Sequence, residues 1–147
     1  MNDNKEVALN FYESYNNKNI DKSFADFIAP DLINYTMGGG LGRNEWLEFD
    51  RALLAACPDL QLKVKEQLAE GNRVVTYWTF AGTHTGEFME KSASNNTICL
   101  AGISIDTIEA GKITKHLAIA DFTALMAQFS APPVLRLYRP VAASKDR

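Results

Sequence analysis

Asp59-Leu60-Gln61-Leu62-Lys63-Val64-Lys65-Glu66-Gln67-Leu68-Ala69-Glu70-Gly71-Asn72-Arg73-Val74 is where the chain changes its period. Leu60, Leu62 and Val64 alternate with Lys63 and Lys65, the pattern of a strand with one buried face. The parity slips near Glu66, which predicts a bulge. Glu70-Gly71-Asn72 reads as a hairpin turn. Three further strands follow, over residues 74–83, 97–108 and 112–120, the last two joined by the turn Glu109-Ala110-Gly111. Upstream the period is 3.6. Asp3 and Glu6 have capping-box spacing, and Val7, Ala8, Phe11, Tyr12 and Tyr15 recur at helical intervals. A second helix is expected over 21–29, with Phe24, Phe27 and Ile28 as its stripe and Pro30 as its stop. Residues 32–36 read as short and extended. Residues 37–42 hold four glycines and read as a loop at the mouth of the sheet, a candidate lid. Trp46, Leu47, Phe49, Leu53, Leu54 and Cys57 mark a third helix over 43–57, ended by Pro58. Phe122, Leu125, Met126 and Phe129 suggest a last helical turn or two.

Helices followed by a run of antiparallel strands is an α+β pattern. Three N-terminal helices packed on a strongly curved, mostly antiparallel sheet would make a cone enclosing a pocket, the natural seat for a small apolar molecule. The chain has 147 residues, 46% hydrophobic and 22% charged, with a net charge of −3. That is one globular domain, expected over residues 1–131, with an extended or mobile tail over 132–147. In the tail, Val134, Leu135, Leu137 and Tyr138 could pack across a subunit boundary. The charge argues against a nucleic-acid partner, and no apolar run is long enough for a membrane span. The polar start of the chain lacks the layout of a signal peptide, and Cys57 and Cys99 read as buried free thiols, so a cytoplasmic location is expected. A homodimer or larger even-numbered oligomer is expected to cover the open face of the sheet.

Metal-binding spacing is absent, since His84 and His116 are the only histidines and no HxH or HExxH occurs. Asp121 closes the odd-numbered face of the fourth strand, after Ile113, Lys115, Leu117 and Ile119. A carboxylate on such a face would be partly desolvated, which raises its pKa toward the range of a neutral-pH acid or base. It also precedes Phe122-Thr123-Ala124-Leu125 and would make a good helix N-cap. His116 has the opposite parity, so a His116–Asp121 dyad is not expected. Asp106 reads as surface-exposed near its turn. Tyr15, Tyr35, Trp46, Trp78 and Phe80 suit a core, or a pocket for a flat aromatic ligand. His84 shares the strand parity of Trp78 and Phe80.

Five blocks carry a family resemblance: Cys57-Pro58-Asp59-Leu60, Ala69 to Val74, Gly82-Thr83-His84-Thr85-Gly86-Glu87-Phe88-Met89, Gly102-Ile103-Ser104-Ile105, and Gly111-Lys112-Ile113 with Asp121 beyond it. In order and spacing they resemble the SnoaL-like polyketide cyclase (ester cyclase) family of the NTF2-like superfamily, over roughly residues 5 to 129. The resemblance implies an NTF2-like cone and a cofactor-free enzyme. It also implies intramolecular aldol closure of a polyketide or other natural-product intermediate, with Asp121 as general acid/base. Asn34-Tyr35 stands where the family often has Asn-His, and Asn34 would hydrogen-bond a substrate carbonyl. Tyr15 matches a pocket-lining aromatic. Lys115-His116-Leu117 stands where Glu-His-Trp is common. The substrate-binding set expected is Tyr15, Asn34, Tyr35, Trp46, Trp78, Phe80, His84 and Phe88. Two alternatives stay open. One is another NTF2-like chemistry (hydroxylating, epoxide-opening or hydrolytic), with Asp106 or Arg73 as a second polar group. The other is a non-catalytic binding module.

Overall fold

A computed structural model describes residues 3–130; the expectations for the tail at 132–147 lie outside the described residues. Helix α1 (Asp3–Ser14) is followed by a 3-10 turn at Tyr15–Asn17 and by α2 (Ile20–Phe27). The Asn19 side chain caps α2 by accepting from the Lys22 N–H. Strand β1 (Ile28–Asn34) begins at once, so α2 stops before Pro30 and the proline lies within a strand. It has no N–H for a ladder, and the parallel pairing of β1 to β6 is irregular between Ile28 and Ile33. A 3-10 turn at Thr36–Gly38 and the short β2 (Leu41–Gly42) lead into α3 (Arg43–Ala56).

The four long strands are β3 (Gln61–Glu70), β4 (Arg73–Thr83), β5 (Thr97–Glu109) and β6 (Lys112–Ala120). They make one curved, unclosed sheet in the order β2-β1-β6-β5-β4-β3, antiparallel except for β1 beside β6. The bulge expected near Glu66 is present, between Val64 and Glu66. A fourth helix, α4 (Phe122–Gln128), packs at the far end of the sheet. It corrects the three-helix count, and Gln128 ties it to β5 through the Cys99 N–H (2.7 Å) and C=O (2.9 Å).

The core lies between the helices and the concave face of the sheet. Phe11 of α1 is its hub, with edge-on contacts to Tyr12, Tyr15, Phe24, Phe27 and Trp46. Beneath it, Trp78 lies over Gly102, its partner across the β4–β5 ladder. A Cβ on Gly102 would stand 2.4 Å from the indole, so only glycine admits the ring there. The Trp78 and Phe80 rings are parallel within 3°, with centroids 5.9 Å apart, and form an aromatic floor.

Candidate functional site

A second bulge decides what the floor of the cone displays. Counting back from the β5–β6 turn, Glu109 pairs with Lys112 and Ile108 with Ile113, a register that would set Asp106 opposite Lys115. The pairing instead skips Thr114, so that Thr107 meets Lys115 and Asp106 meets His116. An extra residue reverses the faces of everything beyond it. Ile113 is therefore inside, but Lys115, Leu117 and Ile119 point outward while His116 and Ala118 point into the cone. The ladder continues to β1, where Asn34 pairs with His116. Asp106, His116 and Asn34 thus form one row across three strands, facing the helices.

This row is hydrogen-bonded. Asp106 is fully buried (0% exposed), which corrects the expectation of a surface residue. One of its oxygens lies 2.6 Å from His116 Nδ1, and the other accepts from the Tyr12 hydroxyl at 2.6 Å. The Ser104 hydroxyl donates to the Tyr12 oxygen, and the Trp78 indole N–H donates to Ser104 Oγ at 2.7 Å. A carboxylate only accepts, so the Asp106 contact places a proton on His116 Nδ1; in the neutral imidazole the lone pair is then on Nε2. Trp46 stacks on the imidazole, with centroids 4.2 Å apart. The Asn34 Oδ1 accepts from the Thr36 N–H, which leaves its NH2 for another partner.

A second carboxylate faces the same space. Asp50, on the buried side of α3, accepts from the Tyr15 hydroxyl and is hydrogen-bonded by the Trp46 side chain. Burial pushes its carboxyl up to about 6, against the pull of Tyr15, His116 and Trp46. Burial, reinforced by the facing carboxylates, also holds the Tyr12 and Tyr15 phenols well above their ordinary range, so both remain donors.

These groups open onto a cavity of about 400 Å³. Tyr12, Tyr15, Asn34, Trp46, Asp50, Ser104 and His116 supply its polar tips, and Trp78, Phe80, Leu60, Leu62 and Leu100 its apolar walls. Thr36, Gly39, Leu41 and Phe49 form the mouth, so the glycine loop borders the opening.

Of the residues singled out from sequence, Tyr15, Asn34, Trp46, Trp78 and Phe80 line this cavity. The others lie elsewhere. Asp121 is exposed and does not line it; one carboxylate oxygen accepts from the Ala124 N–H at 2.9 Å as the N-cap of α4. The expected desolvation of Asp121 is therefore corrected: the apolar odd-numbered face of β6 that was to bury it is the outside of the sheet. Tyr35 is 42% exposed and borders a shallow groove on the outer side, with Arg73 and Lys115. His84 is buried against the edge of Phe129, with Nδ1 at 2.9 Å from Ser94 Oγ. Phe88 stacks on Phe129 and meets Phe49 edge-on, supporting the mouth from behind. Sequence reasoning missed Asp106, His116 and Asp50 as a group. His116 needed the Thr114 bulge, whereas Asp106 shares the even-numbered buried face of β5 with Ile98, Leu100, Ser104 and Ile108. Asp50 had a legible signal, since it falls four residues after Trp46 and three before Leu53 on one helical face.

Among the described residues, no helix is long and apolar enough to cross a membrane, and no three His, Cys, Asp or Glu side chains are grouped to hold a metal. The family model for SnoaL-like polyketide cyclases matches residues 5–129. Comparison with curated proteins gave no match. Among solved structures, AclR from Streptomyces galilaeus, described as a candidate hydroxylase, superposes with a TM-score of 0.79 at 24% identity, covering 89% of this chain and 98% of that one. A SnoaL-like candidate cyclase from Jannaschia gives a TM-score of 0.76 at 20% identity, with coverages of 88% and 93%. IdmH from Streptomyces antibioticus, described as a candidate polyketide cyclase, gives 0.75 at 22% identity, with coverages of 88% and 100%.

Proposed function

The chain belongs to the SnoaL-like polyketide cyclase family, and from that premise we propose that it closes a ring in an apolar polyketide-like intermediate by proton transfer at His116. The observation that carries this reading is the buried Asp106–His116 pair, with Nδ1 on Asp106 and His116 itself at the wall of an apolar cavity. Nε2 takes the proton alpha to a substrate carbonyl. The enolate oxygen is held by the NH2 of Asn34, the neighbour of His116 on β1. Asp106, steadied by Tyr12, stabilises the imidazolium. The enolate carbon then attacks a second carbonyl, a carbon–carbon bond forms, and the new alkoxide recovers the proton from Nε2. Atoms and charge balance with side chains alone, so the step as written needs no cofactor. The cavity walls exclude water, which strengthens each of these contacts.

A small apolar or aromatic substrate fits the aromatic floor. We also propose a homodimer built on the outer face of the sheet, where β4, β5 and β6 present two apolar rows, Val75–Ile105–Leu117 and Tyr77–Ile103–Ile119. The two buried free thiols suit a reducing compartment.

The test uses 5-nitrobenzisoxazole, a flat apolar probe. A base removes its C3 proton as the N–O bond breaks, giving a coloured cyanonitrophenolate. The wild type is expected to turn it over above background. His116→Ala and Asp106→Asn should each lose on the order of 100-fold or more, while Asp121→Asn, still a good N-cap, should keep the rate. Loss in Asp121→Asn with His116→Ala unaffected would overturn the assignment.

A further inference from the structure

The mechanism leaves Asp50 unused. It is the second carboxylate of the cavity, 7% exposed, on the wall opposite the strand that carries Asp106. Among the described lining residues there is no Lys or Arg. With the oxygens of Asp106 engaged by His116 and Tyr12, Asp50 is the carboxylate that lines the cavity itself. Its two donors, Tyr15 and Trp46, occupy two of about four acceptor sites on a carboxylate. The aromatic faces around the cavity (Tyr15, Trp46, Phe49, Trp78 and Phe80) are the surfaces that attract a cation. The Asn34 NH2 and His116 Nε2, both on residues more than nine-tenths buried, are unpartnered and reach the same space.

Resting on the reading of this cavity as the substrate site, we propose that Asp50 selects ligands bearing a protonated amine, the ammonium docking on its free carboxylate positions while the apolar body lies along Trp78 and Phe80. A carboxylate-bearing ligand meets only negative charge there and is rejected. An ammonium alongside also favours the charged carboxylate, opposing the desolvation that raises Asp50.

Isothermal titration at pH 7.5 with three probes of one shape tests this: 2-naphthylmethylamine, 2-naphthalenemethanol and 2-naphthoate. The amine is expected to bind about tenfold or more tightly than the alcohol, a charge-assisted contact against a neutral one, with 2-naphthoate weakest. Asp50→Asn, checked for folding by circular dichroism, should bring amine and alcohol level. In the wild type alone, alcohol binding equal to or tighter than amine overturns the proposal while leaving the cavity reading and the His116 chemistry intact. An amine preference that persists in folded Asp50→Asn also overturns it. Failure of all three probes to bind overturns the cavity reading and the proposal together.

Discussion

Two buried aspartates in this protein meet different fates because their neighbours differ. Asp106 is held by a phenol and an imidazole N–H, which replace the water it lost. Asp50 has donors too, but burial outweighs them and pushes its carboxyl up to about 6 from an ordinary 3.8. The sign of the consequence is fixed. Between those values the native state keeps the Asp50 proton while the unfolded chain has released it, so the contribution of Asp50 to stability falls as pH rises through that window. About two pH units correspond to about 3 kcal/mol as an upper figure. In urea unfolding, the wild-type stability minus that of Asp50→Asn should fall by up to that amount between pH 4 and pH 7. A difference that stays flat across the range would contradict the burial-driven shift.

At the scale of elements, legibility followed periodicity. The helical stripes of α1 and α3, the bulge in β3 and the two tight turns were all visible as changes of period, because each is a local consequence of which residues must face the core. What was not legible was the Thr114 bulge. Nothing in Lys112-Ile113-Thr114-Lys115-His116-Leu117 announces it, since both registers place apolar residues on either face. In the unbulged register Asp106 would oppose Lys115, and Lys115, Leu117, Ile119 and Asp121 would share the face toward the helices. Tertiary packing chooses the other register, which turns His116 onto Asp106 under Tyr12 and Trp46. The same choice leaves Asp121 its local role as cap of α4, a role its following sequence had already suggested.

The whole molecule puts this register to two uses. Inside, it gives a row of Asp106, His116 and Asn34 beneath a cavity roofed by α1 and α3. Outside, it leaves Ile119 63% and Ile103 47% exposed on a face that no described helix covers. Adjacent apolar side chains on three neighbouring strands are the patch on which the proposed second copy would dock. Light scattering after gel filtration should give a dimer for the wild type and a monomer for Ile103→Glu with Ile119→Glu; a monomeric wild type, or a dimer indifferent to both charges, would contradict that interface. The proposed chemistry requires the His116 Nδ1 proton to be committed to Asp106 so that Nε2 serves as the base. Nitrogen-15 chemical shifts of the two histidines test it directly, because they should report opposite tautomers. His84 Nδ1 accepts from the Ser94 N–H, so its proton belongs on Nε2 and it serves as the internal reference. Neutral His116 should carry its proton on Nδ1 and lose that preference in Asp106→Asn. An Nε2–H His116 matching His84 would contradict it.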